Sequence, residues 1–283
     1  MEKQKDLHIH TCYSDGEYTP DEIIIKASEE GLDTIAFTDH DTILGLHNIT
    51  INPEDYGIKK INGIELSGIA PKGTLHILGH YIDKDNQRLN EKTEQLHNNA
   101  IYAIASVICQ LKKDYGIIFP TEDILNILNL QRNIGRPDVA KLLMKHGYSK
   151  SVDEAFDMYL NPAYKKCGGT KKGIPHEECI DLIRQANGIA SLAHPYSLKM
   201  DRNELDNFVG QLKSCGLEGI EVYHSNHTPE MVEEYLCLAK KYDLLITGGS
   251  DYHGPTIKPD IQLGTGRGNL KIKQLTLLDK RAN

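Results

Sequence analysis

Histidine and carboxylate residues follow short apolar segments at several points along the chain. Four such segments are Leu7-His8-Ile9-His10, Phe37-Thr38-Asp39-His40-Asp41, Leu192-Ala193-His194-Pro195 and Ser250-Asp251-Tyr252-His253. Each begins with residues typical of a strand and ends in imidazole or carboxylate, and a barrel of parallel strands presents such ends at one rim. Imidazole and carboxylate groups are ligands of divalent metal ions. The pattern therefore predicts a metal centre.

The first two segments carry several candidate ligands. His8 and His10 are two residues apart on a predicted strand, so both side chains project from the same face, as two ligands of one ion require. Asp15 lies in the turn that follows and can supply a carboxylate from the same rim. In the second segment His40 is the better ligand candidate, because Asp41 can instead cap the next helix.

The later segments add further candidates. Glu65 ends an apolar stretch, where a carboxylate can bridge two cations. His76 and His80 share the next predicted strand, and their spacing does not decide between them. His194 precedes Pro195, which favours an extended backbone and blocks immediate continuation into a helix. Asp251 and His253 are again two residues apart and close the last clear strand.

The elements that must position these residues alternate between strand and helix. Strands are predicted over residues 6–10, 34–38, 59–66, 74–81, 189–193, 219–223 and 244–248, and helices over 19–30, 176–187, 204–214 and 229–242. Between them, helices are predicted over 91–115, 121–130, 136–146 and 152–160, followed by a loop at Asn161-Pro162. We predict one α/β barrel domain over residues 1–283, interrupted by a helical insertion at about 86–165.

Composition narrows the class of protein. Hydrophobic residues make up 39% and charged residues 25% of the chain, which is typical of a soluble globular protein. The uncharged run over residues 100–109 is too short to span a bilayer, and the first six residues lack the apolar stretch of a signal peptide, which favours the cytoplasm. The six scattered cysteines are interpreted as reduced thiols. A net charge of −8 argues against duplex DNA and favours a short or end-bound nucleic acid.

Taken in order, these segments resemble the PHP-domain metal-dependent phosphoesterases, in the branch of nucleoside 3′,5′-bisphosphate phosphatases and 5′-3′ exoribonucleases. The resemblance spans nearly the whole chain, through residues 6–11, 14–16, 37–42, 63–65, 76–79, 135–137, 192–195, 219–223 and 248–254. It implies a distorted (β/α)₇ barrel, the PHP fold, with an inserted helical lobe. It also implies hydrolysis of a nucleotide phosphate ester by hydroxide held on the metal ions.

The family pattern implies His76, rather than His80, as a ligand. It implies three divalent cations: one held by His8, His10, Glu65 and Asp251, a second by Glu65, His76 and His194, and a third by Asp15, His40 and His253. Nitrogen-rich sites with bridging carboxylates and no thiolate suit Mn²⁺, Fe²⁺ or Zn²⁺ better than Mg²⁺, and we favour Mn²⁺.

The resemblance also implies residues that act on the substrate. Arg136 in the insertion is expected to bind phosphate, whereas Asp138 stands where the family usually has histidine. Ser225, Asn226 and His227 resemble a loop that contacts substrate, and His194 or His227 is expected to assist proton transfer. The expected partner is a small phosphorylated nucleotide or a short RNA end.

The sequence leaves two alternative functions open. The nearest enzymatic alternative is a histidinol-phosphate phosphatase, and a second is a non-catalytic, metal-stabilised binding module. Several polar residues are given no functional role: Lys171 and Lys172 as solvated lysines, His224 as locally satisfied, and His47, His97, His146 and His176 as surface residues. The glycine-rich segment over residues 264–268 is predicted to be a turn, because no strand-to-helix unit follows it.

Overall fold

One sheet of eight strands organises the barrel. The protein is described by a computed structural model, which covers residues 4–130, 132–167, 173–270, 272 and 274–280. The strands are β1 (Gln4–Ile9), β2 (Leu32–Phe37), β3 (Lys59–Ile69), β4 (Leu75–His80), β5 (Ile174–Pro175), β6 (Ile189–Leu192), β7 (Gly219–His224) and β8 (Leu245–Gly249). Seven of them lie in the order β1-β2-β3-β4-β6-β7-β8, and the short β5 pairs with β3.

The two outer strands of this order approach each other and nearly close the sheet. The amide of His10 donates to the carbonyl of Tyr252 at 2.9 Å, and the amide of Asp251 donates to the carbonyl of His8 at 2.9 Å. The predicted α/β barrel is therefore confirmed. The seven long strands and the four helices predicted around them lie within three residues of their predicted bounds.

The helices are α1 (Pro20–Glu29), α2 (Leu44–His47), α3 (Gln87–Tyr115), α4 (Thr121–Leu128), α5 (Arg136–Lys145), α6 (Val152–Ala155), α7 (Asn161–Lys166), α8 (His176–Gln185), α9 (Arg202–Ser214), α10 (Pro229–Lys241) and α11 (Thr276–Asp279). Helix α1 shows how local sequence sets a boundary. The Thr19 hydroxyl accepts from the amide of Glu22, and the Glu22 carboxylate accepts from the amide of Thr19, so two unpaired donors of the first turn are satisfied. No helix among the described residues is long and apolar enough to cross a membrane.

Strand β4 runs antiparallel to both of its neighbours, while the other long neighbouring strands are parallel. This reversed strand is a departure from the parallel arrangement that is typical of an α/β barrel. Because β4 is reversed, its first residues lie beside the carboxyl-terminal half of β3, with His76 paired to Ser67 and His80 paired to Gly63. His76 consequently lies at the same end of the sheet as the other strand ends, and His80 lies further into the barrel.

The chain divides into two units, one formed by residues 1–91 and 173–283 and the other by residues 92–172. The second unit is helical and has its own apolar core, which includes Val107, Leu111, Val139, Leu143 and Leu160. Whether the chain behaves as a single interrupted domain stays a prediction.

The end of the helical unit differs from its prediction. Helix α6 gives way to a π-helical turn over Phe156–Leu160, and α7 follows directly. The predicted loop at Asn161-Pro162 is wrong because proline is tolerated in the first turn of a helix, where its missing N–H has no intrahelical acceptor.

His80 gives the barrel interior a stability that depends on pH. The ring is fully buried, its Nε2 donates to the carbonyl of Leu7 at 2.8 Å, and burial lowers its pKa to about 4. The folded state therefore holds neutral His80, while the unfolded chain protonates it below about pH 6.5. The contribution of His80 to the free energy of unfolding is fully present above pH 6.5. It falls by up to about 3 kcal/mol as the pH drops toward 4.

We expect His80→Gln to lose less thermal stability than the parent between pH 6.5 and 4.5, because glutamine keeps a donor without gaining charge. Unfolding midpoints measured across this range for both proteins give the difference directly. Parallel curves for the two proteins would contradict the assignment.

Candidate metal centre

The loop after β1 is fixed by a buried carboxylate. Asp39 accepts hydrogen bonds from the Thr11 amide at 2.7 Å, the Thr11 hydroxyl at 2.7 Å and the Ser14 hydroxyl at 2.6 Å. These bonds hold the chain just beyond His8 and His10, whose side chains are both fully buried. Asp39 therefore positions the loop that follows these two histidines.

Glu65 lies at the centre of a cluster of imidazoles. Its Oε2 lies 3.2 Å from Nε2 of His8, 3.2 Å from Nε2 of His10 and 3.1 Å from Nδ1 of His40. Its Oε1 lies 2.9 Å from Nδ1 of His76 and 2.9 Å from Nε2 of His194. A single carboxylate, itself fully buried, thus contacts five rings that come from four separate segments of the fold.

Two further carboxylates complete the cluster. Asp251 Oδ1 lies 3.3 Å from Nε2 of His10 and 3.4 Å from Nδ1 of His253. Asp15, which is half exposed, lies 3.3 Å from Nε2 of His253 and 3.9 Å from Nε2 of His40. The structure therefore brings together all nine residues that the sequence indicated as ligands.

The donor atoms fit a set of divalent cations. Two ligands bound to one ion at about 2.1 Å lie about 3.0 to 3.4 Å apart at octahedral or tetrahedral angles. Three groups within this cluster each offer one donor atom per residue, with those atoms within 4.8 Å of one another: His8, His10 and Glu65; His40, Glu65 and His76; and His10, Asp15, His40 and His253. The buried Nε2 of His10 lies 3.2 Å from Glu65 Oε2 and 3.3 Å from Asp251 Oδ1, which are separations expected of atoms that share one ion.

Local electrostatics keep the carboxylates ionised. Burial raises the pKa of Glu65, but the interactions with the surrounding imidazoles of His40, His76 and His8 outweigh it and hold that pKa well below its usual range. The pKa of Asp15 is lowered in the same way. Burial raises it, but the interactions with His40 and His253 have the larger effect. Burial lowers the pKa of His40 to about 3, so its ring is neutral. Burial lowers the pKa of His8, His10 and His76, but the carboxylates that contact them outweigh it and raise all three values, that of His10 to about 9. Cation binding would therefore release the protons that these rings hold.

The backbone is unusual at two of the nine residues. His194 has a φ of 21° and Asp251 a φ of 58°, a region that residues other than glycine rarely adopt. The expected extended backbone at His194 is therefore wrong, and a 3₁₀ turn begins directly at Pro195. The cause lies in Glu221, whose Oε2 accepts from the His194 amide at 2.7 Å and fixes the backbone there.

Glu221 contacts the cluster, and the sequence analysis gave it no role. It is fully buried on β7, and its Oε1 accepts from Nδ1 of His8 at 2.9 Å. Burial raises its pKa, but the charge and hydrogen bond of His8 prevail and lower it to about 2. A lone carboxylate within an apolar strand was the available signal, the same one that identified Glu65.

Two other neighbours of Asp251 also carried no prediction of function. Lys258 Nζ lies 2.7 Å from Asp251 Oδ2, and His224 Nε2 lies 3.4 Å from the same atom. His224 was expected to be satisfied locally, and its Nδ1 does accept from the Asn226 amide at 3.0 Å, while its Nε2 faces Asp251. Asp41 also differs from expectation, since it accepts from the Ser67 amide and hydroxyl, both at 2.7 Å, rather than capping a helix.

The loop after β7 is held by its own hydrogen bonds. The Ser225 hydroxyl donates to the Ser250 carbonyl at 2.5 Å, and Asn226 Nδ2 donates to the Tyr196 hydroxyl at 2.8 Å. His227 Nδ1 lies 2.8 Å from the Val222 carbonyl, so it donates there, while the buried Nε2 has no partner among the residues described. This leaves His227 Nε2 as the atom with an unused lone pair.

Arg136 and Asp138 belong to the helical unit. The Arg136 guanidinium donates to Asn161 Oδ1 at 2.9 Å and lies 4.4 Å from the centroid of the Tyr164 ring. Asp138 accepts from the Gly135 amide at 2.9 Å, as the third residue of α5, and pairs with Arg132. Both Asp138 carboxylate oxygens thus accept hydrogen bonds within this unit. Lys171 and Lys172, which were predicted to be solvated, lie outside the described residues.

The remaining predictions for polar segments can also be placed. His47 is exposed as expected, but His97, His146 and His176 are each half-buried. The turn predicted over residues 264–268 is confirmed, with Gly264 and Gly266 at positive φ and Gln262 bridged to Gly266. Glycine is needed there because other residues rarely adopt this backbone.

An α/β barrel with buried imidazoles and carboxylates clustered at its strand ends is the arrangement of a metal-dependent hydrolase. The family model described as "PHP domain" matches residues 6–255, and the chain belongs to that family. A solved structure from Bifidobacterium adolescentis, named provisionally as a metal-dependent phosphoesterase, is 26% identical with a TM-score of 0.76, covering 97% of this chain and 92% of the other. The protein is accordingly a PHP-domain metal-dependent phosphoesterase.

Three curated relatives are each 28% identical to this chain. A phosphoribosyl 1,2-cyclic phosphate 1,2-diphosphodiesterase of Eggerthella lenta aligns over 88% of this chain and 94% of its own length. A 3′,5′-nucleoside bisphosphate phosphatase of Chromobacterium violaceum aligns over 88% and 87%, respectively. A 5′-3′ exoribonuclease of Haemophilus influenzae aligns over 90% and 92%.

Proposed function

We propose that this phosphoesterase hydrolyses a nucleotide phosphate ester, either a nucleoside 3′,5′-bisphosphate or the 5′ end of a short RNA. The observation that carries the proposal is the buried carboxylate of Glu65 in contact with five imidazoles at one end of the barrel. The names of two relatives, a nucleoside bisphosphate phosphatase and an exoribonuclease, support the substrate class. The net charge of −8 favours a small or end-bound ligand over duplex DNA, and we place the protein in the cytoplasm.

We assign the nine clustered residues to three divalent cations. His8, His10, Glu65 and Asp251 would hold the first, Glu65, His76 and His194 the second, and Asp15, His40 and His253 the third. Donor chemistry favours Mn²⁺, with Fe²⁺ or Zn²⁺ as alternatives. When bound, such cations neutralise phosphoryl oxygens and lower the pKa of a coordinated water toward neutrality.

The residues around the cluster have separate tasks in this proposal. Glu221 holds the ring of His8 and the backbone of His194, so that both imidazoles keep their orientation. Burial lowers the pKa of His227 to about 3, so its ring is neutral and holds no proton at Nε2; this partnerless atom is proposed to accept a proton from the reacting water. Proton transfer by His194 is the second candidate, as an alternative to its role as a ligand, because the Nε2 atom that lies 2.9 Å from Glu65 cannot serve both.

Substrate contacts are proposed on two segments. Arg136 carries a guanidinium able to bind a phosphate with two parallel hydrogen bonds, and Ser225, Asn226 and His227 form a loop beside residues of the cluster. Asp138 is proposed to act near Arg136, although a direct contact with substrate would require it to release Gly135 or Arg132. Because this chain has an acid, Asp138, where the family usually has histidine, we expect it to favour a less anionic substrate.

The test is a phosphoester panel assayed with protein loaded with Mn²⁺. The panel contains a nucleoside 3′,5′-bisphosphate, a 5′-phosphorylated oligoribonucleotide, histidinol phosphate and phosphoribosyl 1,2-cyclic phosphate. We expect turnover of one of the first two to exceed the others. Preference for histidinol phosphate or the cyclic phosphate would contradict the substrate assignment, and full metal occupancy with no hydrolysis would indicate a non-catalytic module.

Removing one ligand tests the metal assignment. We expect His10→Ala and Asp251→Ala each to reduce metal-dependent turnover to background, because each residue supplies a donor atom to the cluster. Circular dichroism should show that both variants keep the parent's helix and strand content. Activity that persists in either folded variant would refute the assignment.

Arg136 can be tested separately from the metal centre. We expect Arg136→Met to raise KM for the preferred substrate about tenfold or more while leaving metal stoichiometry unchanged, because it removes a charge-assisted contact to phosphate. Arg88→Met, at a half-exposed arginine outside the helical unit, is the matched control. An unchanged KM in Arg136→Met would remove this residue from the substrate site.

A further inference from the structure

Three side chains with different donor atoms meet outside the nine-residue cluster. His176 and Glu177 are the first two residues of α8, and Cys215 directly follows α9. One nitrogen, one carboxylate oxygen and one sulfur from these residues lie within 4.8 Å of one another. His176 and Cys215 are half-buried, and Glu177 is exposed, so the group is open to solvent on one side.

The His176 ring is held in one orientation from two sides. Its Nδ1 lies 3.3 Å from the carbonyl of Ile69 at the end of β3, and the ring meets Phe208 edge-on with centroids 5.5 Å apart. Because a carbonyl only accepts, Nδ1 must carry the hydrogen. The ring nitrogen left toward the other two side chains is Nε2. Donation of one ring N–H to a backbone carbonyl is the usual way in which a metal-binding histidine is oriented.

The distance between the donor atoms of His176 and Glu177 matches that between two ligands of one ion. Nε2 of His176 lies 3.3 Å from Oε1 of Glu177. Two acceptor atoms at this distance are favourable only with a proton or a cation between them. Nitrogen and oxygen ligands of a tetrahedral zinc ion, each bound at about 2.0 to 2.1 Å, lie about 3.3 Å apart.

Cys215 determines which cation this group would take. A thiolate combined with imidazole and carboxylate favours Zn²⁺ and disfavours Mn²⁺, whereas the barrel cluster has no thiolate in its proposed ligand set. We propose that His176, Glu177 and Cys215 form a separate Zn²⁺ site with a fourth position open to water. A bound ion would link the start of α8 to the end of α9.

The first experiment uses Co²⁺ as a spectroscopic substitute for Zn²⁺. We expect titration of the full-length protein to produce the near-ultraviolet absorption that only a cobalt–thiolate bond gives. Cys215→Ser should abolish this absorption and His176→Gln should weaken it, whereas Cys12→Ser, which removes a thiol near the barrel ligands in sequence, should retain it. Absorption that is missing from the parent protein, or that survives in Cys215→Ser, would overturn the proposal.

Zinc stoichiometry provides an independent readout. We expect the parent to bind one more equivalent of Zn²⁺ than Cys215→Ser, and His10→Ala to retain that extra equivalent because His10 belongs to the other cluster. Glu177→Gln serves as a further site variant, since an exposed side chain can be replaced without disturbing the fold, and it should bind Zn²⁺ at least tenfold more weakly. Equal stoichiometry and affinity in the parent and all folded site variants would exclude the site.

Discussion

Replacing Glu65 with glutamine is expected to lower kcat for the preferred phosphoester by at least about 100-fold. Mutating a group that only supports a metal ligand typically costs about 10- to 100-fold, and Glu65 itself contacts five imidazoles within 3.2 Å. Glutamine removes the negative charge and turns an N–H₂ donor toward those rings. We expect the metal content of the purified variant to fall together with its activity.

Steady-state kinetics and metal analysis on the same preparations check this result. Glu233→Gln is the matched control, because Glu233 is an exposed residue of α10 and undergoes the same chemical change. A folded Glu65→Gln protein with the parent's metal content and turnover would show that Glu65 does not organise the centre. Loss of activity with full metal content would instead assign Glu65 to the reaction and not to metal binding.

Glu221→Gln is expected to weaken metal binding by about 10- to 100-fold, although Glu221 is proposed to bind no metal itself. The physical reason is its position between two proposed ligands, since Oε1 orients the His8 ring and Oε2 holds the His194 amide. Glutamine can reproduce one of these accepting contacts with its carbonyl oxygen, but its N–H₂ opposes the other donor. Both imidazoles should therefore lose their fixed orientation.

A positioning role for Glu221 makes a specific kinetic prediction. At saturating metal, kcat should recover most of the parent's value while KM for substrate changes little, and the deficit should reappear at limiting metal. Isothermal titration calorimetry with Mn²⁺ gives the affinity, and Glu233→Gln again controls for the loss of one carboxylate. A kcat that stays low at every metal concentration would contradict the positioning role.

The barrel was predictable because each of its elements carries a local signal. Alternating apolar strands and capped helices gave bounds within three residues for the seven long strands and the four helices around them. The direction of β4 was not predictable, because a strand's hydrophobic pattern reads the same in both directions. Only its pairing with β3 and β6 shows that it is antiparallel.

The choice between His76 and His80 illustrates the consequence. Spacing left both possible, and the family resemblance implied His76. In the reversed strand His76 reaches the cluster with its Nδ1 2.9 Å from Glu65, whereas His80 turns inward to the carbonyl of Leu7. The physical reason is strand direction, which depends on long-range pairing and not on the segment itself.

The sequence by itself determined which donor atoms are present and at which strand ends they stand, because residue type and local periodicity are written in each segment. Only the tertiary structure decided which of those donor atoms contact one another. It placed Glu65 among five imidazoles, and it put Glu221 behind His8 and His194. Contacts between residues as far apart as 8 and 221 arise only when the sheet curls into a barrel, and no local pattern encodes that closure.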